Sequence, residues 1–265
     1  MKIREIAETK RKAKEWFASY TADYDMEDPK IALKAVHTYH VAELCQTIAE
    51  SLALNEVECM AAWLSGLLHD VGRFEQIRRF NTFSDADSID HALLSTEILF
   101  GTKEDASCGR IRQVILDPSW DIYLYKAIKY HSAYRLPPDL SEMEKTYCQI
   151  LRDADKIDIF RVNLETPMED IYNTTTETLK QAEVLQAFKG RHAVLRALKK
   201  TPVDNVVGHI SLYYELVYPK SRQIALSQGY LLRLAEFASE NERTRKVFED
   251  IRTQLQEDIE NGSKK

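Results

Sequence analysis

Residues 64–80, "LSGLLHDVGRFEQIRRF", begin as an apolar helical stripe and then place His69 and Asp70 side by side. Three arginines follow within ten residues. An imidazole and a carboxylate at the inward end of an apolar helix lose solvation, which is unfavourable unless a partner inside the protein satisfies them. Because adjacent residues do not share a face of a regular helix, we expect the helix to end at this pair, with Gly72 as part of the termination.

The rest of the composition is typical of a helical globular protein. Hydrophobic residues make up 44% of the 265 positions, and there are only 8 glycines and 7 prolines. Apolar residues recur every three to four positions, so we predict an all-α fold. No repeat or Gly/Ser linker divides the chain, and we expect a single protein of residues 1–265 with a core at about 30–165 and a C-terminal helical extension at about 166–265.

In that extension, residues 178–200 and 229–259 have the pattern of amphipathic helices. The sequence leaves open whether these helices form a lid or a dimer interface, so a homodimer stays an alternative to a monomer.

Charge and cysteine usage limit the partners and the location. The net charge of −6 argues against broad nucleic-acid binding but allows a small anionic substrate. No apolar run is long enough to span a bilayer, and the N-terminus lacks a signal-peptide core. The four cysteines have no zinc-knuckle spacing, which favours reduced thiols. We therefore expect a cytoplasmic protein without membrane contact.

Five predicted helices each bring an imidazole or a carboxylate toward the interior. Asn55 with Glu58, and Ser141 with Glu144, have the spacing of capping boxes and predict the starts of two of them. The inward polar groups are His37, His69 with Asp70, His91, His131 and Asp155.

One buried histidine alone is more often a hydrogen-bonded core residue than a ligand. Several unpartnered ionisable groups would be costly to bury together, whereas a divalent metal satisfies imidazole nitrogens and carboxylate oxygens at once. The joint pattern therefore predicts a metal site.

The order His37, His69-Asp70, Asp155 resembles the HD-domain superfamily of metal-dependent phosphohydrolases. The resemblance covers roughly residues 37–160, and its strongest local matches are "HTYHVAEL", "LLHDVGRF" and "RDADKID". It implies an all-α HD-domain bundle in which these four residues bind metal and in which His69 and Asp70 are catalytic.

His91 and His131 fall where binuclear members of the superfamily supply further ligands. The resemblance therefore implies two divalent ions, the second held by His91 and His131, with Asp70 bridging the pair. The metal identity stays open among Mn, Mg, Fe, Co, Ni and Zn. The implied reaction is attack of a metal-bridged hydroxide on a nucleotide or another small phosphomonoester, phosphodiester or pyrophosphate.

Positive side chains near the metal site are candidates for binding the substrate phosphate. A guanidinium fork suits phosphate oxygens, and an equally good interpretation is a solvated basic loop. The candidates are Arg73, Arg78, Arg79 and Lys156.

Other residues have two interpretations. His40 is the alternative to His37 as a ligand, although the apolar register favours His37. Asp153 and Asp158 lie at other angles of the Asp155 helix, so we expect them behind the ligands or in solvent. The aromatic residues around His131 either line a substrate pocket or pack between helices.

The resemblance leaves alternatives to a nucleotide or small-ester hydrolase. Cyclic-dinucleotide phosphodiesterases of the HD-GYP type have a second histidine and a Gly-Tyr-Pro stretch near the fourth helix, and both are missing after His131. Mixed-valence di-iron oxygenases resembling myo-inositol oxygenase use a similar ligand set. A non-catalytic HD module is the third reading.

Overall fold

The computed structural model of the protein describes residues 3–102, 105–167, 171 and 182–262. These residues form α-helices and short 3-10 turns, and no strand occurs among them, so the all-α prediction is confirmed. The chain divides into two compact units, Met1–Asp158 and Ile159–Lys265. The expected boundary near residue 166 stays a prediction.

The first unit contains seven complete α-helices and the start of an eighth within its described residues. They are α1 (Ile3–Thr21), α2 (Pro29–Ser51), α3 (Glu56–Leu68), α4 (Val71–Phe80), α5 (His91–Phe100), α6 (Ile111–Val114), α7 (Asp121–Tyr130) and α8 (Glu142–Glu165). Short 3-10 turns occur at Asp85–Asp87, Ala106–Cys108 and Pro118–Trp120.

Side chains at the helix starts explain where several helices begin. At α3, Asn55 accepts from the Glu58 backbone N–H and the Glu58 side chain accepts from the Asn55 N–H, so the predicted capping box is confirmed. At α8, the Ser141 N–H donates to the Glu144 carboxylate at 2.8 Å, and the Glu144 N–H donates to the Ser141 hydroxyl at 3.3 Å. Both predicted starts are therefore present.

Helix α3 lies at the centre of the first unit. It packs against α1, α2 and α7, and Trp63, Leu64, Leu67 and Leu68 are fully buried. A helix buried on all sides delivers its C-terminal residues into the interior. The residue that follows α3 is His69, and for this reason its ring is buried.

The break at the His-Asp pair is confirmed, but Gly72 does not terminate the helix as expected. Helix α4 begins at Val71, directly after Asp70, and Gly72 is its second residue. A Cβ at Gly72 would lie 2.5 Å from the His91 carbonyl oxygen and 2.7 Å from the Ser95 backbone nitrogen. Glycine is therefore needed for the close approach of α4 to α5. The arginines that follow lie on α4 and not in a loop, although the side chains of Arg78 and Arg79 are about half exposed.

The second unit is also helical. Its α-helices are α9 (Ala182–Lys189), α10 (Pro202–Ile210), α11 (Pro219–Ser227), α12 (Tyr230–Ala235) and α13 (Glu242–Gly262), with 3-10 turns at Arg196–Leu198 and Ser211–Glu215. The predicted helices in residues 229–259 are confirmed as α12 and α13.

The helix predicted for residues 178–200 is only partly correct. Residues 178–181 lie outside the described residues, and α9 ends at Lys189. The next residues turn the chain, with Arg191 at a φ of 59° in the left-handed region. Residues 190–200 contain a turn and a short 3-10 helix, because a residue with left-handed backbone cannot be part of an α-helix.

No helix in the described part of the chain is both long enough and apolar enough to cross a membrane. The cysteines all lie in the described part, and none forms a disulfide; they are Cys45, Cys59, Cys108 and Cys148.

Replacing Gly66 with alanine should destabilise the packing of α3 against α2. A Cβ at Gly66 would lie 2.6 Å from the Ala42 Cα and 2.9 Å from the Val41 carbonyl oxygen, both of which are backbone atoms. We expect a loss of about 1–3 kcal/mol, which is typical of overpacking. Urea denaturation followed by circular dichroism measures it. Gly190→Ala is the matched control, because its nearest neighbour would be 3.4 Å away. Equal midpoints for both variants would contradict the packing argument.

Candidate metal centre

The six predicted ligands come together inside the first unit. They are contributed by α2, by the junction between α3 and α4, by α5, by the residue after α7, and by α8. Five of them are buried, and the Asp155 side chain retains 16% exposure. The six are His37, His69, Asp70, His91, His131 and Asp155.

Asp70 lies between two pairs of imidazoles. Its Oδ2 atom is 3.8 Å from the His37 Nε2 and 3.4 Å from the His69 Nε2. Its Oδ1 atom is 3.6 Å from the Nε2 atoms of both His91 and His131. Each carboxylate oxygen therefore faces its own pair of ring nitrogens, and each pair together with Asp70 forms a group whose ligand atoms all lie within 4.8 Å of one another.

Asp155 lies beside the group formed by the first pair. Its Oδ1 atom lies 3.1 Å from the His37 Nε2 and 3.9 Å from the His69 Nε2. The six residues thus divide into the two sets that the resemblance implies, with Asp70 common to both. Their roles as ligands stay predictions.

All four imidazoles use Nδ1 for a hydrogen bond and direct Nε2 toward Asp70. Each Nδ1 partner is a carboxylate or a backbone carbonyl, and these groups only accept. The proton of the neutral ring is therefore assigned to Nδ1, and Nε2 carries a lone pair. The partners are Asp158 for His37 (2.7 Å), the Gly66 carbonyl for His69 (2.7 Å), Asp85 for His91 (2.8 Å) and the Ile128 carbonyl for His131 (2.6 Å).

The inward atoms of the cluster lack hydrogen-bond donors. The Nε2 atoms of His37 and His69 and the Oδ1 atom of Asp70 are buried without a hydrogen-bond partner. The Nε2 atoms of His91 and His131 lie 3.0 Å apart, so two lone pairs face each other. Such an arrangement is unfavourable unless a cation lies between the donors. The residues therefore fit divalent metal, on the geometry of the donors alone.

Electrostatics keep His91 and Asp70 in a metal-binding protonation state. Burial, together with the nearby Arg73 charge, lowers the pKa of His91 to about 3, so this ring is neutral at pH 7. Burial alone would raise the pKa of Asp70, but the Lys34 ammonium and the His69 ring hold that pKa well below its usual range. Both groups therefore present lone pairs at neutral pH.

His37 and Asp155 influence each other. Burial would raise the pKa of Asp155, but the contact with His37 outweighs it and the pKa is lowered. Burial and Lys34 lower the pKa of His37, but Asp155 and Asp158 outweigh both, so that pKa is raised. A metal ion therefore competes with a proton for the His37 ring.

Two residues that lie near the cluster, Lys34 and Asp85, were not predicted from the sequence. The Lys34 Nζ lies 2.7 Å from the Asp70 Oδ2. Asp85 accepts from the His91 Nδ1 and from Arg73. Lys34 precedes His37 by three residues on α2, so helical spacing was a signal that could have found it. Asp85 lies in a 3-10 turn, where spacing gave no signal.

Asp158 lies behind a ligand, which was one of the two positions expected for it. It accepts from the His37 Nδ1 and also from the His40 Nδ1, at 3.0 Å. The His40 side chain is 48% exposed and directs this nitrogen at Asp158. The structure therefore places His37 in the cluster, with His40 outside it.

Among the predicted phosphate-binding residues, Arg73 lies beside the cluster. Its Nε atom is 3.8 Å from the Asp70 Oδ1. Its Nη1 atom donates to Gln76, to the Phe83 carbonyl and to Asp85, which fixes the guanidinium in place.

The other three predicted phosphate-binding residues make contacts elsewhere. Arg78 and Arg79 both pair with Glu75 on α4, and their side chains are about half exposed. Lys156 is buried and donates to the Arg152 carbonyl at 3.2 Å. A role of these three in substrate binding stays a prediction.

Comparison with known families agrees with this geometry. Residues 35–159 match the family model described as the HD domain, and all six clustered residues lie inside the match. This part of the chain is an HD domain. The predicted membership of the HD-domain superfamily, a superfamily of metal-dependent phosphohydrolases, is therefore confirmed. No curated protein and no solved structure matches the chain.

Asp70→Asn should remove metal from the HD domain, because it removes the charge common to both ligand sets and keeps the side-chain size. We expect the wild-type protein to retain divalent ions through dialysis and the variant to retain less than about a tenth as much. Elemental analysis by mass spectrometry measures the content. A chelator should lower the melting temperature of the wild type only, since an ion at 100 times its Kd stabilises by about 2.7 kcal/mol.

Asp139→Asn is the control for that measurement, because Asp139 is exposed and the charge change is the same. Circular dichroism verifies that both variants are folded. Wild-type metal content in Asp70→Asn would contradict the assignment of Asp70 as a ligand.

Proposed function

We propose that the protein is a metal-dependent phosphohydrolase that cleaves a nucleotide or another small phosphomonoester, phosphodiester or pyrophosphate. The observation that carries this proposal is the position of Asp70, whose two oxygens face two separate pairs of lone-pair-bearing imidazoles in a buried cluster. Membership of the HD-domain superfamily supports it.

The proposed cofactor is a pair of divalent ions. His37, His69, Asp70 and Asp155 would hold one ion, and His91, His131 and Asp70 would hold the other. Four imidazoles among six ligands favour a transition metal over magnesium. When bound, such ions supply Lewis acidity and lower the pKa of bound water.

The protein's own residues prepare the ligands. The hydrogen bonds that the Nδ1–H groups of His37 and His91 donate to Asp158 and Asp85 fix the tautomer and orientation of each ring. Carbonyl groups do the same for the other two imidazoles. Because the rings are oriented before any ion binds, little reorganisation is needed when the site is filled.

The surroundings favour an anionic substrate. Burial lowers the local dielectric constant, so each charge in the site acts more strongly than it would in water. Lys34 and Arg73 place positive charge beside Asp70 although the whole chain carries −6. Arg78 and Arg79 would have to exchange Glu75 for the substrate before they could contribute.

Purified protein tested against a panel of nucleotides, phosphodiesters and pyrophosphate with several divalent ions should release phosphate or a nucleotide from at least one substrate. Asp70→Asn should lower that rate by about a thousandfold or more, since it alters both ligand sets. Asp139→Asn should retain the wild-type rate. Full activity in Asp70→Asn would overturn the proposal.

The same panel separates the alternatives. Bound iron with oxygen uptake and no phosphate release would favour the di-iron oxygenase. Metal binding without turnover of any substrate would favour a non-catalytic HD module.

A further inference from the structure

Lys34 occupies a position beside the cluster that the sequence motifs did not assign. It lies on α2 three residues before His37, so both side chains leave the same face of the helix. Its ammonium is 2.7 Å from the Asp70 Oδ2, the oxygen that also faces His37 and His69. The side chain retains 14% exposure, so the ammonium lies between the buried ligands and solvent.

An aromatic ring keeps the Lys34 ammonium near the site. The Nζ atom lies 5.5 Å from the centre of the Phe83 ring, within the range of a cation–π contact. The Arg73 guanidinium lies 5.8 Å from the centre of the same ring. Phe83 therefore borders two positive side chains that both lie on the Asp70 side of the cluster.

The Lys34 ammonium lies against the Asp70 Oδ2, an oxygen that metal would use. Divalent ions that engage Asp70 would withdraw the negative charge that Lys34 contacts, and they would repel the ammonium. Lys34 would then need another anion within reach of its flexible four-carbon stem. A phosphate oxygen suits an ammonium, which binds phosphate as a point charge.

The arginines of the site differ from Lys34 in this respect. Arg73 donates to three fixed acceptors, none of which is a clustered ligand, and Arg78 and Arg79 pair with Glu75. Metal uptake would leave those contacts in place. Metal uptake would weaken the 2.7 Å contact between Lys34 and Asp70, whereas Arg73, whose Nε is 3.8 Å from the Asp70 Oδ1, would keep its three other acceptors.

We infer that Lys34 binds a phosphoryl oxygen of the substrate beside the metal centre, an inference that rests on the proposed hydrolase function. Lys34 is thereby a substrate-binding residue.

The test uses orthophosphate as the probe and the full-length protein loaded with the divalent ion that it retains. Lys34→Met removes the charge and keeps most of the stem, whereas Lys34→Arg keeps the charge. Titration calorimetry should show phosphate binding weakened at least tenfold in Lys34→Met and within about threefold of wild type in Lys34→Arg. Metal content by mass spectrometry should not fall in either variant.

Lys30→Met is the matched control, because Lys30 lies one turn earlier on α2 and is also largely buried. It should bind phosphate as the wild type does. For an ester that the wild type is found to hydrolyse, Lys34→Met should raise KM more than it lowers kcat.

The outcomes separate this inference from the proposed function. Unchanged phosphate binding in Lys34→Met, or no phosphate binding by the loaded wild type, overturns the inference even if the wild type hydrolyses an ester. Loss of metal from Lys34→Met also overturns it, because Lys34 would then only support Asp70. If no ester is hydrolysed but phosphate binding still depends on Lys34, the proposed function fails and the anion site stands.

Discussion

The buried cluster of the first unit is arranged around one carboxylate, that of Asp70. This residue lies in the interior, at the junction of two consecutive helices. Helix α3 is buried on all sides from Cys59 onward and ends at Leu68, and α4 begins at Val71. The two residues between the helices leave the helical register, and their side chains meet in the cluster, where the His69 Nε2 lies 3.4 Å from the Asp70 Oδ2. The Nε2 atoms of four imidazoles surround the carboxylate. Burying these groups together is favourable only when positive charge lies between them.

Hydrogen bonds to groups outside the cluster fix the orientation of its four imidazole rings. Asp158 and Asp85 hold two rings, and the backbone carbonyls of Gly66 and Ile128 hold the other two. Asp85 also accepts from Arg73, which links the turn after α4 to α4 itself. The orientation of the ligands is thus a property of the folded helices, since each ring is fixed by a neighbouring element or by its own helix.

Much of this could be predicted from the sequence, and the failures have physical reasons. Apolar stripes and capping boxes revealed the helices because burial and capping act on residues at fixed spacing. Gly72 was misread because two helices separated by two residues leave no loop in which a terminating glycine would act. Lys34 was missed although it lies three residues before His37, because helical spacing gives the face of α2 but not the point that a flexible four-carbon side chain reaches. The end of α9 was missed because a left-handed residue at Arg191 is not specified by hydrophobic pattern.

Gly66 links the distance between helices α2 and α3 to the distance between the His37 and His69 rings. A Cβ at Gly66 would lie 2.6 Å from the Ala42 Cα of α2, and the Gly66 carbonyl holds the His69 ring, whose centre lies 5.4 Å from that of the His37 ring on the same α2. Any residue that widens the gap between these helices must also widen the span between the two imidazoles. If the cluster holds metal as proposed, the size of ion that fits would depend partly on this interhelical packing, and core substitutions at this contact would alter ion preference without changing a proposed ligand.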